Sequence, residues 1–121
     1  MMDDLKKCLE IICDFPTIYK SGDKSPLTII GQSGYADKFE QVTELEILKF
    51  VDKKAGLVKT WTQYTEDIRH NRAWGLHDSS KSKWTVLYMD DGKIKTEFKF
   101  DNPYEACAKM IKVTMEEIRM R

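Results

Sequence analysis

Two short segments of alternating apolar and polar residues, 83–89 and 93–100, flank the tripeptide Asp-Asp-Gly at positions 90–92. An alternation with a period of two residues predicts β-strands, and an Asp-Gly pair favours a tight turn because both residues tolerate positive φ angles. Segment 83–89 has apolar side chains on both faces, as a central strand does, whereas segment 93–100 has one solvated face of lysines and glutamate. The sequence therefore predicts an antiparallel hairpin, with a third strand at 73–77.

Helical spacing of apolar residues predicts helices on both sides of these strands. The predicted helices cover residues 3–14, 43–54, 57 to about 70–72, and a last segment that opens at Asn102-Pro103. Thr43 and Glu46 form a capping box at the start of the second helix, and Gly56 is expected to end that helix in a left-handed conformation.

The stretch 17–42 has the weakest pattern in the chain, because glycines and Pro26 interrupt it. We expect mostly loop there, with at most a short strand at 27–30. Tyr35 and Phe39 are the expected apolar anchors of this loop.

The order of elements predicts an α+β fold in a single domain that covers residues 1–121. Helices are expected to pack on one face of a small antiparallel β-meander of about three strands, and the C-terminal helix is expected to close the core. In the last strand, Ile94, Phe98 and Phe100 are expected to point to the same face.

Charge and composition exclude several classes of protein. The 20 basic residues balance the 20 acidic ones, and no basic stripe is present, so direct nucleic-acid binding is not expected. No apolar run reaches the roughly 20 residues of a membrane-spanning helix. The N-terminal residues lack the basic start and apolar run of a signal peptide, and a cytoplasmic location is the resulting expectation.

The cysteines and histidines do not have the spacing of a metal or catalytic site. Cys8, Cys13 and Cys107 include no Cys-x-x-Cys pair, so buried, reduced thiols are predicted, with no metal and no cofactor. His70 and His77 have no nucleophile or carboxylate at a recognisable spacing. Ser33 likewise stands outside a Gly-x-Ser-x-Gly elbow. We therefore expect that the protein is not an enzyme.

Residues 88–91 read Tyr-Met-Asp-Asp, a string that reverse transcriptases carry on a β-hairpin whose two aspartates hold magnesium. A polymerase also needs a third carboxylate, a basic template groove and a far longer chain. None of these features is visible in the sequence, so the hairpin turn is the favoured interpretation. A metal-dependent phosphoryl-transfer or nuclease fragment built on Asp90 and Asp91 is the third hypothesis, after the two given below.

Aromatic residues are frequent near the predicted sheet: Trp61, Trp74, Trp84, Tyr64, Tyr88, Phe98 and Tyr104. Most such side chains form the core of a small domain. The alternative is a partner-binding surface, in which partly exposed aromatic side chains are ringed by charges.

Four stretches resemble one family of bacterial proteins. They begin at Trp61-Thr-Gln-Tyr64, Ala73-Trp-Gly-Leu76, Lys83-Trp-Thr-Val and Phe100-Asp-Asn-Pro. Their layout is similar to that of the small immunity proteins of contact-dependent growth inhibition and other polymorphic toxin systems, over about residues 57–113. The resemblance implies a non-enzymatic antidote that binds the C-terminal toxin domain of its cognate system, often a nuclease, and blocks its active site or substrate entry.

A nuclease is usually basic around its active site because it binds phosphate, so an acidic patch is expected on its inhibitor. The candidate partner-binding residues are Asp37, Glu40, Glu44, Glu46, Asp78, Asp90, Asp91 and Trp74. The alternative function is a small non-enzymatic adaptor that binds another protein, including as a homodimer.

Overall fold

The computed structural model describes residues 2–22, 24–67, 72–78, 84–91 and 93–120. Its elements are α1 (Met2–Cys13), α2 (Phe15–Lys20), α3 (Pro26–Ser33), α4 (Tyr35–Lys38), α5 (Glu44–Lys53), α6 (Gly56–Asp67), β1 (Arg72–Asp78), β2 (Trp84–Asp90), β3 (Lys93–Phe100) and α7 (Pro103–Arg119). Helices come before and after a group of three strands, which confirms the predicted α+β class.

The three strands form an antiparallel meander in the order β1-β2-β3, with β2 in the centre as predicted. Trp74 lies opposite Tyr88 in the first pair, and Val86 lies opposite Phe98 in the second. Asp91 has a φ of 57°, as a residue in a tight turn between β2 and β3 requires.

For one residue of β3, Ile94, the predicted face of the sheet is wrong. The register shifts beside Tyr88, so that Tyr88 lies opposite Thr96 while Met89 lies opposite Ile94. Lys95 is the extra residue of a β-bulge. The bulge makes the Ile94 side chain point to the face opposite to that of Phe98. Ile94 is 53% exposed as a result.

The long helix α7 closes the core, as predicted. It packs against all three strands and against α3, α5 and α6. Asn102 accepts a hydrogen bond from the Tyr104 amide at 2.7 Å, and Pro103 follows in the first turn, so the helix begins where the Asn-Pro pair predicts. The largest completely buried side chains include Trp61, Tyr35 and Phe15.

The stretch 17–42 differs from its prediction, because it contains helices and no strand at 27–30. Ser25 caps α3 by accepting a hydrogen bond from the Thr28 amide, Pro26 occupies the first turn, and Gly34 ends the helix at a φ of 78°. These are ordinary start and stop signals that override the β-branched residues between them. Tyr35 is buried and Phe39 packs on the core, as expected of anchors.

The second predicted helix is present as α5, and the Thr43 hydroxyl accepts a hydrogen bond from the Glu46 amide at 3.2 Å. Gly56 does not end this helix in a left-handed conformation. Lys53 is the last residue of α5 and Lys54 is its C-cap, and Gly56 already begins α6, because the two helices follow each other almost without a loop. The predicted end of α6 at 70–72 falls partly on residues outside those described.

The three cysteines are free and buried, as predicted. Burial raises the pKa of each thiol, for Cys107 to about 12. Among the helices described, none is both long enough and apolar enough to cross a membrane.

Candidate partner-binding site

An open groove of about 490 Å³ lies between the C-terminal half of α7 and the sheet face on which α7 packs. We call it the aromatic groove. Its lining residues are Trp74, Tyr88, Lys109, Lys112, Val113, Glu116, Glu117 and Met120. The volume lies within the range of protein clefts that bind a ligand or a few side chains of a partner.

Trp74 and Tyr88 form the floor of the aromatic groove, and the Phe98 ring on β3 lies against Trp74. The ring centroids of Trp74 and Tyr88 are 5.2 Å apart, and those of Trp74 and Phe98 are 6.3 Å apart with an angle of 22° between their planes. The antiparallel register produces this floor, since Trp74 and Tyr88 are direct neighbours across β1 and β2. All three side chains are half-buried, so each ring keeps a free area.

The wall of the groove is one stripe of α7. Its members recur at intervals of three, one, three, one and three residues, from Lys109 to Met120, which is the spacing of side chains on a single helix face. Met120 follows the last helical residue and is 75% exposed at the mouth of the groove.

A hydrogen-bonded network holds this wall from behind. The Tyr35 hydroxyl donates to Glu116 Oε2 at 2.7 Å, and Lys112 Nζ donates to the Tyr35 hydroxyl and to the Phe39 carbonyl, each at 2.8 Å. Arg119 donates to both carboxylate oxygens of Glu116, at 2.8 and 3.0 Å. The guanidinium carbon of Arg119 also lies 3.9 Å from the centre of the Phe39 ring. Lys112 and Glu116 are therefore fixed before any partner binds.

The pKa values of Glu116 and Tyr35 are shifted in the directions that keep the network intact. Hydrogen bonds from Arg119 and Tyr35, together with the charge of Lys112, lower the pKa of Glu116 against the opposing effect of burial. Burial, then the hydrogen bond to Glu116, raises the pKa of Tyr35 above its usual value. Tyr35 is therefore a hydrogen-bond donor and Glu116 a carboxylate at neutral pH. Burial lowers the pKa of Lys112, and Glu116 opposes that shift.

A second groove, of about 270 Å³, lies on the other side of Lys109. We call it the leucine groove, and its lining residues are Glu44, Leu45, Leu48, Phe100, Glu105 and Ala108. Lys109 joins the two grooves: its Nζ is 3.3 Å from Glu44 Oε1 and 4.2 Å from the centre of the Phe98 ring.

The structure brings three of the eight candidate residues to one end of the sheet. Trp74 forms part of the aromatic groove. Asp90 is two residues after Tyr88 on β2, so strand alternation places it on the same face, and Asp91 follows in the exposed turn. The hairpin thus puts two acids at the end of the aromatic groove.

The other five candidates are elsewhere. Asp78 ends β1 opposite Trp84, at the far end of the sheet from Asp90. Asp37 and Glu40 are exposed residues in and after α4. In the first turn of α5, Glu44 pairs with Lys109, and Glu46 lies 3.5 Å from the Lys49 ammonium. The acids are therefore divided among several surfaces, instead of forming one patch.

Sequence reasoning missed the wall of the aromatic groove. The apolar residues at helical spacing in α7, which include Cys107, Ile111 and Met115, are buried in the core. A second stripe, from Lys109 to Met120, has the same helical period, and its mixture of long charged and apolar side chains was the available signal. The periodicity could not show that this stripe faces Trp74.

No family model, no curated protein and no solved structure matches this chain. The resemblance to immunity proteins therefore stays a prediction. In the parts of the chain that the structure describes, no group of three or more His, Cys, Asp or Glu side chains could hold a metal ion. The class that the fold and the site define is an α+β domain with a preformed aromatic groove on its C-terminal helix.

Proposed function

We propose that this protein is an immunity protein of a contact-dependent growth inhibition or related polymorphic toxin system. It binds the C-terminal toxin domain of its cognate system, a nuclease, in the cytoplasm. It blocks the active site or the entry of substrate and catalyses no reaction itself. The observation that carries this proposal is the aromatic groove, in which Trp74 is half-buried on a fixed floor and is ringed by charged side chains.

Such a groove has the properties of a protein-binding anchor. Interface residues that contribute most of the binding energy are enriched in Trp, Tyr and Arg, and they lie in pockets surrounded by polar residues. Trp74 is held between Tyr88 and Phe98, so little side-chain freedom is lost when a partner binds. On the opposite wall, the hydrogen-bonded network likewise restricts Lys112 and Glu116, so these side chains also lose little freedom when a partner binds.

The charges around the groove suit a basic partner at one end. Asp90 and Asp91 lie at the hairpin end of the sheet, whereas along the wall Glu116 is already paired with Arg119 and two lysines, Lys109 and Lys112, also line the groove. Charges at the rim of an interface act mainly on the association rate and on partner choice. A basic nuclease surface would therefore be steered toward the hairpin end of the sheet, beside the groove.

Co-expression with the toxin domain encoded immediately upstream tests the proposal. We expect the wild-type chain to restore growth and to elute with a catalytically inactive toxin domain as one species on a sizing column. Unchanged toxicity together with separate elution would refute the proposal. The control is the same toxin domain with an empty vector.

The adaptor alternative predicts a different result in the same experiment. The chain would leave the toxin active but would form a complex with another protein encoded in its operon, or with itself. Sedimentation of the purified chain measures self-association directly.

A further inference from the structure

The leucine groove has the properties of a second docking surface. Leu45 is 60% exposed at its edge, and Leu48 and Phe100 are half-buried within it. The groove is open along the line where α5 packs against the first half of α7. Apolar side chains that stay exposed beside a cavity gain most from a partner that covers them.

The rim of this groove is acidic. Glu44 lies in the first turn of α5 and Glu105 lies in the first turn of α7, and both line the groove. Among the described residues that line it, no basic side chain occurs. Because Glu44 already pairs with Lys109 at 3.3 Å, Glu105 is the carboxylate that would gain more from a cation of a partner.

We propose that the leucine groove binds a segment of a partner protein that inserts one apolar side chain between lysines or arginines. The apolar side chain covers Leu45 and Phe100, and the flanking cations meet Glu44 and Glu105. This is the chemistry by which an amphipathic, basic helix docks in an apolar groove.

Charge complementarity decides between this occupant and a second copy of the chain. In a symmetric dimer the groove would meet the groove of the second copy, in which Lys109 is already paired with Glu44, so Glu105 of each copy would face further carboxylates. Like charges at close range oppose such a contact. A basic segment has no such cost.

The proposal does not depend on the toxin hypothesis. The leucine groove and the aromatic groove are formed by different residues of α7, and Lys109 lies between them. Growth protection without binding in the leucine groove would leave the proposed function intact and remove the docking proposal. Binding in the leucine groove without growth protection would remove the proposed function and leave the docking proposal intact.

The test uses two synthetic peptides with the same leucine-rich helical face, flanked either by lysines or by glutamates, and the full-length chain. Amide chemical shifts locate each peptide and give its dissociation constant. We expect the lysine peptide to bind about tenfold more tightly than the glutamate peptide, with shifts centred on Leu45, Leu48 and Ala108. Equal affinity for both peptides, or shifts centred on the aromatic groove, would overturn the proposal, as would a lack of binding.

Two variants test the roles of the groove residues. Leu45→Ser should weaken binding of the lysine peptide by about tenfold, and Glu105→Gln by roughly threefold. Glu105 is the better charge variant because Glu44→Gln would also break the ion pair with Lys109. Leu27→Ser is the matched control, since Leu27 is 56% exposed on α3. An equal loss in Leu27→Ser would show non-specific binding and end the proposal.

Discussion

The two grooves on α7 differ in how their walls are held. The aromatic groove has a floor of adjacent aromatic rings and a wall whose Lys112 and Glu116 are fixed by hydrogen bonds to Tyr35 and Arg119. The leucine groove has no comparable network among its described residues, and its edge is an exposed leucine with an acidic rim. One helix thus lines one groove whose wall is fixed by hydrogen bonds and a second groove whose edge is exposed.

The largest expected effect is on partner binding through the rigid groove. We expect Trp74→Ala to weaken the complex with the toxin domain by at least about thirtyfold, the equivalent of about 2 kcal/mol, because a central tryptophan anchor is lost. Calorimetry with inactive toxin measures the change. Leu27→Ser is the control, and wild-type affinity in a folded Trp74→Ala variant would show that the aromatic groove is not the anchor.

The next effect concerns the network that makes this groove rigid. Glu116→Gln should lower the free energy of unfolding by about 2 kcal/mol, because an amide group would face Arg119 in place of a carboxylate oxygen. Urea denaturation measures it. Glu105→Gln on the same helix is the control, with an expected change within about 0.5 kcal/mol. Equal changes in the two variants would contradict the claim that only the wall of the aromatic groove is held by a stabilising network.

A smaller loss is expected from removing one hydroxyl. Tyr35→Phe should cost about 1 kcal/mol, because Glu116 loses a donor and Lys112 loses an acceptor at a buried position. The exposed Tyr19→Phe serves as the control in the same denaturation series. An unchanged stability in Tyr35→Phe would mean that water replaces the hydroxyl, and that the wall is less fixed than proposed.

Lowering the pH should remove the contribution of Glu116 to the stability of the network. The pKa of Glu116 is lower in the folded protein than its usual value of 4.5, so its contribution is complete above about pH 4.5 and is lost as the pH falls through the folded value. The difference in unfolding free energy between the wild type and Glu116→Gln should shrink over that range. A difference that stays constant down to about pH 3 would contradict this assignment.

The smallest effect on stability is expected in the leucine groove. Leu45→Ser should change the free energy of unfolding by less than about 0.5 kcal/mol, because the side chain is already 60% exposed. The same variant should lose affinity for the lysine peptide. A large loss of stability in thermal unfolding would show that Leu45 is a core residue and would remove the distinction between the two grooves.

Local signals were sufficient to predict much of the fold. The alternation in 93–100, the Asp-Gly turn, and the Asn102-Pro103 start of the last helix each depend on a few consecutive residues. One expectation failed although a signal of this kind was present, and another failed where no such signal was present. Ser25 and Pro26 start a helix where a strand was expected, and the bulge at Lys95 turns Ile94 to the other face.

Some features of the candidate site likewise depend on local sequence, and others depend on tertiary contacts. The sequence determined that Trp74 belongs to a strand and that Asp90 precedes a turn. Only the tertiary structure brought Trp74 opposite α7 and joined Tyr35 to Glu116, which are 81 residues apart in the chain. Backbone preferences act over a few neighbouring residues, whereas a groove forms only where distant helices and strands pack together, so its shape and charge depend on long-range contacts.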